Sequence, residues 1–497
     1  MARPTVNIPL TLSYDTRGVA GLANAQAGKD QRRVNVHYEI TRTAVDTTPD
    51  IALAKRPGVT VDAGTYGATA QAMYLVVRDP AGTWNPTPWA IVKNGTANNA
   101  VTASTTTTIL TNADYYPRFW DVTDVSGTNY LVVQMQNSAS PSATPAQKTY
   151  YAATIGGFTE ISDTDYTGLS QRGKMEFMNG YAFQMDSRCR IYQSDLNSLS
   201  AWTSTNYLTL STTQYPPQGI IKSRSQILAF STDHVELFRN EGNATGSVLS
   251  RIANSEVKIG LAEVAGGGSV WAGKTSYYAR IGDLTFFLGR YGGSQYDTSL
   301  VAYDGNRFEK VSRPYEDTLL STATIYSIST MSFHGKVAVA IQTTAPTATT
   351  QKWLLFFPDI NEMFEWESTV FGPINNGYHF AGATNTQKLY TFGATDIFQD
   401  DSNNYTVTVQ FKLPTSSHEY KRMASFGVVA DTTSDEQNLA VSFSDDDSGS
   451  FTTARNINLA LKNKELYRGG TFRERFVKLT HTGTREVRLR RFYADIR

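Results

Sequence analysis

The sequence is poor in the residues that build most chemical sites. Its 497 residues include one cysteine, Cys189, and six histidines. A single cysteine excludes a disulfide framework within the chain and any zinc site that needs two thiolates. No run of eighteen apolar residues occurs, so no bilayer-spanning helix is predicted. The first residues lack the apolar stretch of a secretory signal, so we expect synthesis in a reducing cytoplasm, with export only as part of a particle.

Charge of either sign is also scarce. Lys and Arg number 45, Asp and Glu number 45, and charged residues make up 18% of the chain. Low charge together with 40% apolar residues excludes a disordered tail protein, a coiled coil and a collagen. A neutral balance also argues against a protein that wraps nucleic acid tightly, because such proteins are basic.

What the sequence does have is strand pattern from end to end. Short apolar or alternating runs, bounded by Gly, Asn, Asp and Pro, occur at residues 74–77, 130–133, 227–230, 337–341 and 354–357. Thr, Val, Tyr and Phe suit a pleated, half-buried surface. Helical periodicity is almost absent. The pattern therefore predicts an all-β fold.

Polar turns between these runs recur at a nearly constant distance. They lie at residues 80–82, 126–127, 179–180, 232–233, 282–283, 334–335 and 385–386, about fifty residues apart. A second kind of hairpin falls between several of them, at residues 150–158, 300–308 and 354–364. Two hairpins per repeat give four strands, which is the blade of a β-propeller. We predict six or seven blades over residues 62–402; a string of β-sandwiches is the alternative.

The two ends of the chain lack this rhythm. Residues 1–61 are predicted to be extended and irregular, with Pro57 tying the chain at a strand edge. Residues 403–497 are predicted to form a separate β-sandwich-like domain. Residues 462–497 hold eleven basic and four acidic residues, a net +7, which leaves −7 for the other 461.

Two motif matches invite a chemical interpretation that their context does not favour. Residues 268–275 (GSVWAGKT) match the P-loop pattern, but strand and turn residues follow where a phosphate-binding helix must begin. Residues 444–451 (SDDDSGSF) resemble the Asp-box turn of propeller glycosidases, which shapes a hairpin and does no chemistry. We interpret the first as a blade connection and the second as a polar hairpin turn.

No catalytic constellation stands out among the remaining residues. The histidines (37, 234, 334, 379, 418 and 481) show no metal-binding spacing, and His234 and His334 fall in predicted exposed turns. Cys189 has no catalytic signature, and no G-x-S-x-G elbow occurs. We therefore predict a protein that is not an enzyme, with no cofactor and no metal.

The final strands offer the one candidate interface. Residues 485–491 alternate basic and apolar side chains around Val487 and Leu489, which places one basic face outward on a strand. Arg485, Arg488, Arg490 and Arg491 are thus candidate partner-binding residues. A contact to an acidic protein or to DNA phosphates and a solvated, charge-guarded strand edge are both consistent with the pattern.

Three groups of segments, in this order along the chain, resemble the packaged-DNA stabilisation proteins of short-tailed bacteriophages, which form the tail hub or nozzle. The first is residues 33–39 (RVNVHYE) with 56–59 (RPGV). The second is residues 189–195 (CRIYQSD), followed by 219–221 (GII) and 227–238 (ILAFSTDHVELF). The third is the 444–446 turn with the basic final strands. The polar loops, such as residues 102–108, match nothing in that family.

The resemblance implies a non-enzymatic virion part. Family members form a six-fold ring below the portal and adaptor, extend the DNA channel, help retain and release the packaged genome, and carry needle, fibre or spike proteins. We therefore expect a homohexamer in the virion tail, assembled in the host cytoplasm, with duplex DNA passing through without sequence-specific binding. A channel should be neutral or acidic, because basic walls would bind passing phosphates. The C-terminal arginines should then face a neighbouring subunit or the adaptor.

Two other functions stay open. One is a carbohydrate-binding or carbohydrate-active propeller, such as a tail-associated adhesin or glycosidase. The other is a generic propeller scaffold for other proteins. Oligomeric state distinguishes them from a nozzle, because a propeller enzyme can work alone.

Overall fold

A computed structural model describes residues 5–10, 32–41, 50–63, 72–77, 89–94, 96–102, 105–137, 147–262, 275–291, 298–344, 349–374, 379–382, 388–392, 397–413, 419–446 and 449–497. Within these ranges the helices are two short segments, α1 (Thr164–Thr167) and α2 (Pro314–Thr322). All other regular structure is β-strand. The all-β class predicted from the sequence is confirmed.

The chain divides into two compact units. The middle unit comprises Val61–Trp353 and Thr369–Thr391, and the terminal unit comprises Met1–Thr60, Leu354–Ser368 and Phe392–Arg497. The terminal unit thus contains both ends of the chain, which the sequence had suggested were separate regions. The boundaries predicted at residues 61 and 402 stay predictions.

The middle unit is a series of antiparallel sheets, most of them four-stranded and formed by strands that follow one another in the sequence. The first three sheets contain β6 (Ala72–Val77), β7 (Trp89–Asn94), β8 (Ala97–Val101) and β9 (Thr106–Thr111); β10 (Tyr115–Val125), β11 (Thr128–Asn137), β12 (Gln147–Ala152) and β13 (Thr159–Glu160); and β14 (Gln171–Met178), β15 (Tyr181–Asp186), β16 (Arg190–Ser194) and β17 (Trp202–Thr209).

The remaining strands of the middle unit continue this plan. They are β18 (Pro217–Ser223), β19 (Gln226–Ser231), β20 (Val235–Asn240) and β21 (Leu249–Arg251); β22 (Ile259–Leu261), β23 (Thr275–Ile281), β24 (Leu284–Tyr291), β25 (Thr298–Tyr303) and β26 (Phe308–Lys310); β27 (Ser327–Phe333) and β28 (Lys336–Gln342); and β31 (Phe371–Ile374), β32 (His379–Gly382) and β33 (Leu389–Phe392), which are joined by β5 (Val59–Ala63).

The predicted turn markers lie between paired strands wherever the structure describes them. Ser126–Gly127, Asn179–Gly180 and His334–Gly335 have positive φ at both positions, as a two-residue type I′ hairpin requires. Residues 282–283 join β23 to β24, and residues 232–233 join β19 to β20. The markers at 80–82 and 385–386, like the P-loop match at 268–274, lie outside the described residues.

The terminal unit contains two sheets. Their strands are β1 (Thr5–Pro9), β2 (Arg32–Val34), β3 (Val36–Thr41), β4 (Asp50–Lys55), β29 (Gln351–Phe357), β30 (Glu362–Ser368), β34 (Thr406–Lys412), β35 (Lys421–Ala430), β36 (Asn438–Ser444), β37 (Arg455–Asn458), β38 (Glu465–Phe472), β39 (Phe476–Thr482) and β40 (Arg488–Ile496). The first sheet has the order β3-β4-β40-β35-β38, with β1 also paired to β40, and the second has the order β29-β30-β2-β34-β39-β36-β37.

Aromatic side chains from the two sheets meet in the core of this unit. The ring centroids of Phe426 and Phe443 are 4.9 Å apart, and those of Phe411 and Phe492 are 5.3 Å apart. Strand β34 shows why: its alternate residues are buried, as a strand with one face in a core requires. The N-terminal segment, expected to be extended and irregular, supplies β1, β2, β3 and β4, and pairing with β30, β34 and β40 satisfies backbone groups of these strands.

Candidate functional site

Charged side chains from three strands of the middle unit form a cluster in which Lys174 and Glu176 are buried, while the side chains of Asp121 and Arg280 are 40% and 34% exposed. Lys174 and Glu176 lie on β14, Asp121 on β10, and Tyr278 and Arg280 on β23. Lys174 Nζ is 2.8 Å from Asp121 Oδ2 and donates to Tyr278 Oη at 2.9 Å. Tyr278 donates to Glu176 Oε1 at 2.5 Å, and Arg280 Nη2 lies 3.4 Å from Glu176 Oε2. Each carboxylate therefore has a cationic neighbour.

An irregularity in β14 positions this cluster. The register with β15 shifts between Arg172 and Glu176, and Gly173 has φ +68°. A Cβ at Gly173 would lie 2.6 Å from the Cα of Gly219, so only glycine fits there. The Tyr277 hydroxyl links β14 to β18 beside this glycine, because it accepts from Lys174 N at 2.9 Å and donates to the Ile220 carbonyl at 2.6 Å.

A network of buried glutamine amides surrounds the irregular strand. Gln134 donates to Gln147 Oε1 at 2.8 Å and to Gln184 Oε1 at 3.1 Å, while its own oxygen accepts from Met175 N at 2.7 Å. Gln147 donates to the Gly173 carbonyl at 2.7 Å. The amides thus satisfy backbone groups that the irregular strand leaves unpaired.

Electrostatics and space both limit what the cluster can do. Burial lowers the pKa of Lys174, but Asp121 and Glu176 outweigh it and hold that pKa well above its usual value. Burial and Glu176 raise the pKa of Tyr278, so the phenol stays protonated. The adjoining cavity, lined by Trp120, Asp121, Lys174 and Glu176 among others, has room for roughly one water molecule.

A second buried cluster lies in the terminal unit and was not predicted from the sequence. Arg56 is fully buried and forms a bidentate ion pair with Asp400, at 2.8 Å and 2.5 Å. Its Nε donates to Asn35 Oδ1 at 3.0 Å, and its guanidinium lies 3.8 Å from the Tyr405 ring centroid. The only sequence signal was Arg-Pro-Gly before a strand, which marks a tie but not a buried charge.

The structure places the four candidate arginines on or just before β40. Buried and partly exposed side chains alternate over residues 487–490, as predicted: Val487 and Leu489 are buried, and Arg488 and Arg490 are partly exposed. Three of the four have carboxylate partners: Asp435 for Arg485, Glu39 (2.5 Å) and Glu486 (3.1 Å) for Arg488, and Asp431 for Arg490. Arg491 is exposed and has no carboxylate partner among the described residues. Much of the positive charge of this segment is therefore compensated locally.

The other residues considered from the sequence have structural partners. His234 is only partly exposed, with Nδ1 3.1 Å from Asp233 Oδ2 and Nε2 3.6 Å from Glu256 Oε1. Cys189 is buried, and this burial raises the pKa of its thiol. Asp446 caps the predicted hairpin turn by accepting hydrogen bonds from Ser444 and Ser450, which lower its pKa to about 2.

Among the described residues, no three His, Cys, Asp or Glu side chains are grouped so that they could hold a metal ion. Neither helix found in the described ranges is long and apolar enough to cross a bilayer.

Comparisons with known proteins give fold-level likenesses of low similarity. No protein-family model and no curated protein sequence matches the chain. An exo-β-1,3-galactanase from Phanerochaete chrysosporium is 8% identical, with a TM-score of 0.29, over 85% of this chain and 99% of the enzyme. The WD40 domain of Toxoplasma gondii coronin is 8% identical, with a TM-score of 0.34, over 73% and 87%.

BamB from Moraxella catarrhalis is a further structural neighbour. It is 10% identical, with a TM-score of 0.33, over 71% of this chain and 97% of BamB. All three TM-scores are below 0.5, so none of these likenesses carries an argument about function.

Proposed function

We propose that the chain is a structural virion protein, a subunit of the tail nozzle of a short-tailed phage. Six copies form a ring below the portal and adaptor, extend the DNA channel, and help retain and then release the packaged genome. The protein has no catalytic role. It contacts the adaptor above and needle, fibre or spike proteins elsewhere, and duplex DNA passes without sequence-specific binding.

The proposal includes a finer architecture than all-β sheets. The middle unit is a β-propeller of six or seven blades. The four-stranded sheets β6–β9, β10–β13, β14–β17, β18–β21 and β31–β33 with β5 supply five of them. Strands β23–β26, paired in sequence order, supply a sixth, and β27 and β28 contribute to a seventh. The two sheets of the terminal unit form a β-sandwich. Consecutive four-stranded meanders at fifty-residue intervals support the propeller.

One observation carries the proposal: the segments that resemble the nozzle family occupy structurally specific positions. Asn35, in the first segment, accepts from Arg56 Nε and from the Glu367 amide, and it donates to the Thr406 carbonyl at 2.9 Å. Glu236, in the second segment, is fully buried and accepts from Ser211 and Thr212. The resemblance thus rests on residues that specify a fold, which suits a structural family.

The partner surface becomes more specific than the sequence suggested. Arg485, Arg488 and Arg490 are engaged by Asp435, Glu39, Glu486 and Asp431, so an incoming acidic surface must compete with them. Arg491 has no such competitor among the described residues. We therefore assign the main charge-steered contact, to a neighbouring subunit or to the adaptor, to Arg491.

A carbohydrate-active propeller remains the second candidate, because Tyr278, Glu176 and Asp121 converge in the middle unit. Most glycoside hydrolases use a pair of carboxylates, and some use a tyrosine nucleophile. Three observations disfavour it: the tyrosine pKa is raised, Lys174 occupies the carboxylates, and the adjoining cavity has room for about one water molecule. A pyranose would require the cluster to open.

The oligomeric state tests the nozzle. We expect native mass spectrometry or negative-stain imaging of tails assembled with this protein to show six copies in a closed ring. The isolated chain can stay monomeric until it meets the adaptor. A single copy per assembled tail would overturn the proposal, and saturable glycan binding lost in Glu176→Gln would favour the carbohydrate-active candidate.

A further inference from the structure

Two basic side chains are buried beneath the turn that joins β39 to β40. Lys55, at the end of β4, is fully buried and donates from Nζ to the Gly483 carbonyl, while its backbone amide donates to the Val487 carbonyl at 2.9 Å. His481, on β39, is also buried. Its Nδ1 lies 3.1 Å from the Asn438 carbonyl, and its Nε2 has no partner among the described residues.

The surroundings of these two bases hold more positive than negative charge. Arg56 is the next residue to Lys55, and the Tyr405 ring lies 4.4 Å from Lys55 Nζ. The nearby carboxylate is Asp400, and both of its oxygens already bind Arg56. The turn's own charged side chains pair elsewhere, Arg485 with Asp435 and Glu486 with Arg488. A proton on Lys55 would therefore add a buried cation without adding an anion.

We propose that residues 483–487 form a pH-dependent latch, closed over Lys55 while its amine is neutral and loosened as the amine takes up a proton. In the open form the Lys55 side chain reaches water, and the hydrogen bond from its backbone amide to the Val487 carbonyl breaks. Because the latch carries Arg485 and leads directly into Arg488, its state changes the arginine surface at the start of β40. This inference goes beyond the nozzle proposal and does not depend on it.

The direction of the pH effect follows from linkage. Burial and the adjacent Arg56 lower the pKa of Lys55 from 10.5 to about 7. Between these two pH values the open form binds more protons than the closed form, so raising the pH from 7 toward 10.5 favours closure. Burial also lowers the pKa of His481, so its protonation adds a second loosening step below pH 6.5.

Hydrogen exchange at pH 7 and pH 9, corrected for intrinsic exchange rates, tests the latch. We expect the Lys55 amide and peptides spanning residues 482–489 to be more protected at pH 9, by up to about 50-fold if opening fully exposes Lys55. Amides of β11, which contains no Lys, His, Asp or Glu, serve as the internal control and should not change. Equal protection at the two pH values, or an equal change in β11, would overturn the proposal.

Lys55→Met provides the matched variant, because methionine fills the space without titrating. Its latch should show no difference between pH 7 and pH 9. Lys222→Met is the control: Lys222 is a partly buried lysine that also donates to a carbonyl, that of Phe177, and its pKa is lowered too. That variant should keep the wild-type pH dependence at the latch. If Lys55→Met retains the pH dependence, Lys55 is not the responsible group. If Lys55→Met fails to fold, hydrogen exchange of the wild-type latch and control strand at the two pH values still tests the proposal.

Discussion

The two units differ in how they bury charge. In the middle unit, Lys174 and Arg280 pair with Asp121 and Glu176, and the partly exposed Lys222 lies nearby with a lowered pKa. In the terminal unit, Arg56 pairs with Asp400, Lys55 lies next to Arg56, and His481 lies near Lys55, so three basic side chains are grouped where the pairing carboxylate among the described residues is Asp400. A balanced cluster can keep all its charges, whereas an excess of cations is tolerated only if some of them release their protons.

The difference explains why Arg56 and Lys55, neighbours in the sequence, behave differently. Every side of the Arg56 guanidinium is engaged, since Asn35, Asp400 and the carbonyls of Pro57 and Glu367 accept its hydrogens. Lys55 contacts a carbonyl and an aromatic face, but no carboxylate in the described part of the chain pairs with it. Charge therefore stays on the arginine and is disfavoured on the lysine.

Asp400→Asn should produce the largest effect, because it leaves Arg56 charged and fully buried with no anion. We expect a loss of about 3–5 kcal/mol in the free energy of unfolding of the terminal unit. Urea denaturation followed by peptide-resolved hydrogen exchange measures it and shows which unit weakens. The double variant Arg56→Met with Asp400→Leu removes both charges and should recover part of the loss. A loss below about 1 kcal/mol for Asp400→Asn would mean that Arg56 is hydrated.

Glu176→Gln breaks the balanced cluster and should cost less. The amide keeps the shape and can still accept from Tyr278, while Lys174 retains Asp121. We expect a loss of about 1.5–3 kcal/mol, confined to the middle unit, as is typical when a buried hydrogen bond to a charged group is removed. Glu309→Gln, at an exposed carboxylate paired with Arg307, is the matched control and should cost less than about 1 kcal/mol. Equal losses in the two variants would contradict the role assigned to the cluster.

The sequence predicted the sheets well where turn chemistry is local. Asn179–Gly180 and Ser126–Gly127 adopt the positive φ values that these residue types favour, so the hairpins were visible in the sequence. One predicted turn lies one hairpin later in its sheet than the others do. Residues 232–233 join the second and third strands of their sheet, whereas the other described markers join the first and second. The turn equivalent to the others is at Arg224, which has φ +52° without a glycine to signal it.

The buried clusters could not be predicted, because their members are far apart in the chain. Arg56 and Asp400 are 344 residues apart, and Lys174 and Tyr278 are 104 apart. No local pattern distinguishes these charges from ordinary surface charges. Distant partners also explain why the prediction for the arginines of β40 was incomplete. Their alternation predicted an outward basic face, but Glu39, the partner of Arg488, is 449 residues away.

Arg491→Glu should have the smallest effect on stability and the clearest effect on association. Arg491 is exposed and has no carboxylate partner among the described residues, so its reversal should change the free energy of unfolding by less than about 0.5 kcal/mol. Arg488→Glu is the contrast, because it also breaks the pairs with Glu39 and Glu486 and so mixes a folding effect with a docking effect.

If the arginine surface docks to an acidic partner, Arg491→Glu weakens ring formation or adaptor binding at low ionic strength, and the difference from wild type shrinks as salt rises. Native mass spectrometry of the assembly at two salt concentrations measures both. Unchanged assembly at low salt would remove Arg491 from the interface, and weaker retention of DNA in the variant would instead assign the arginine to the channel.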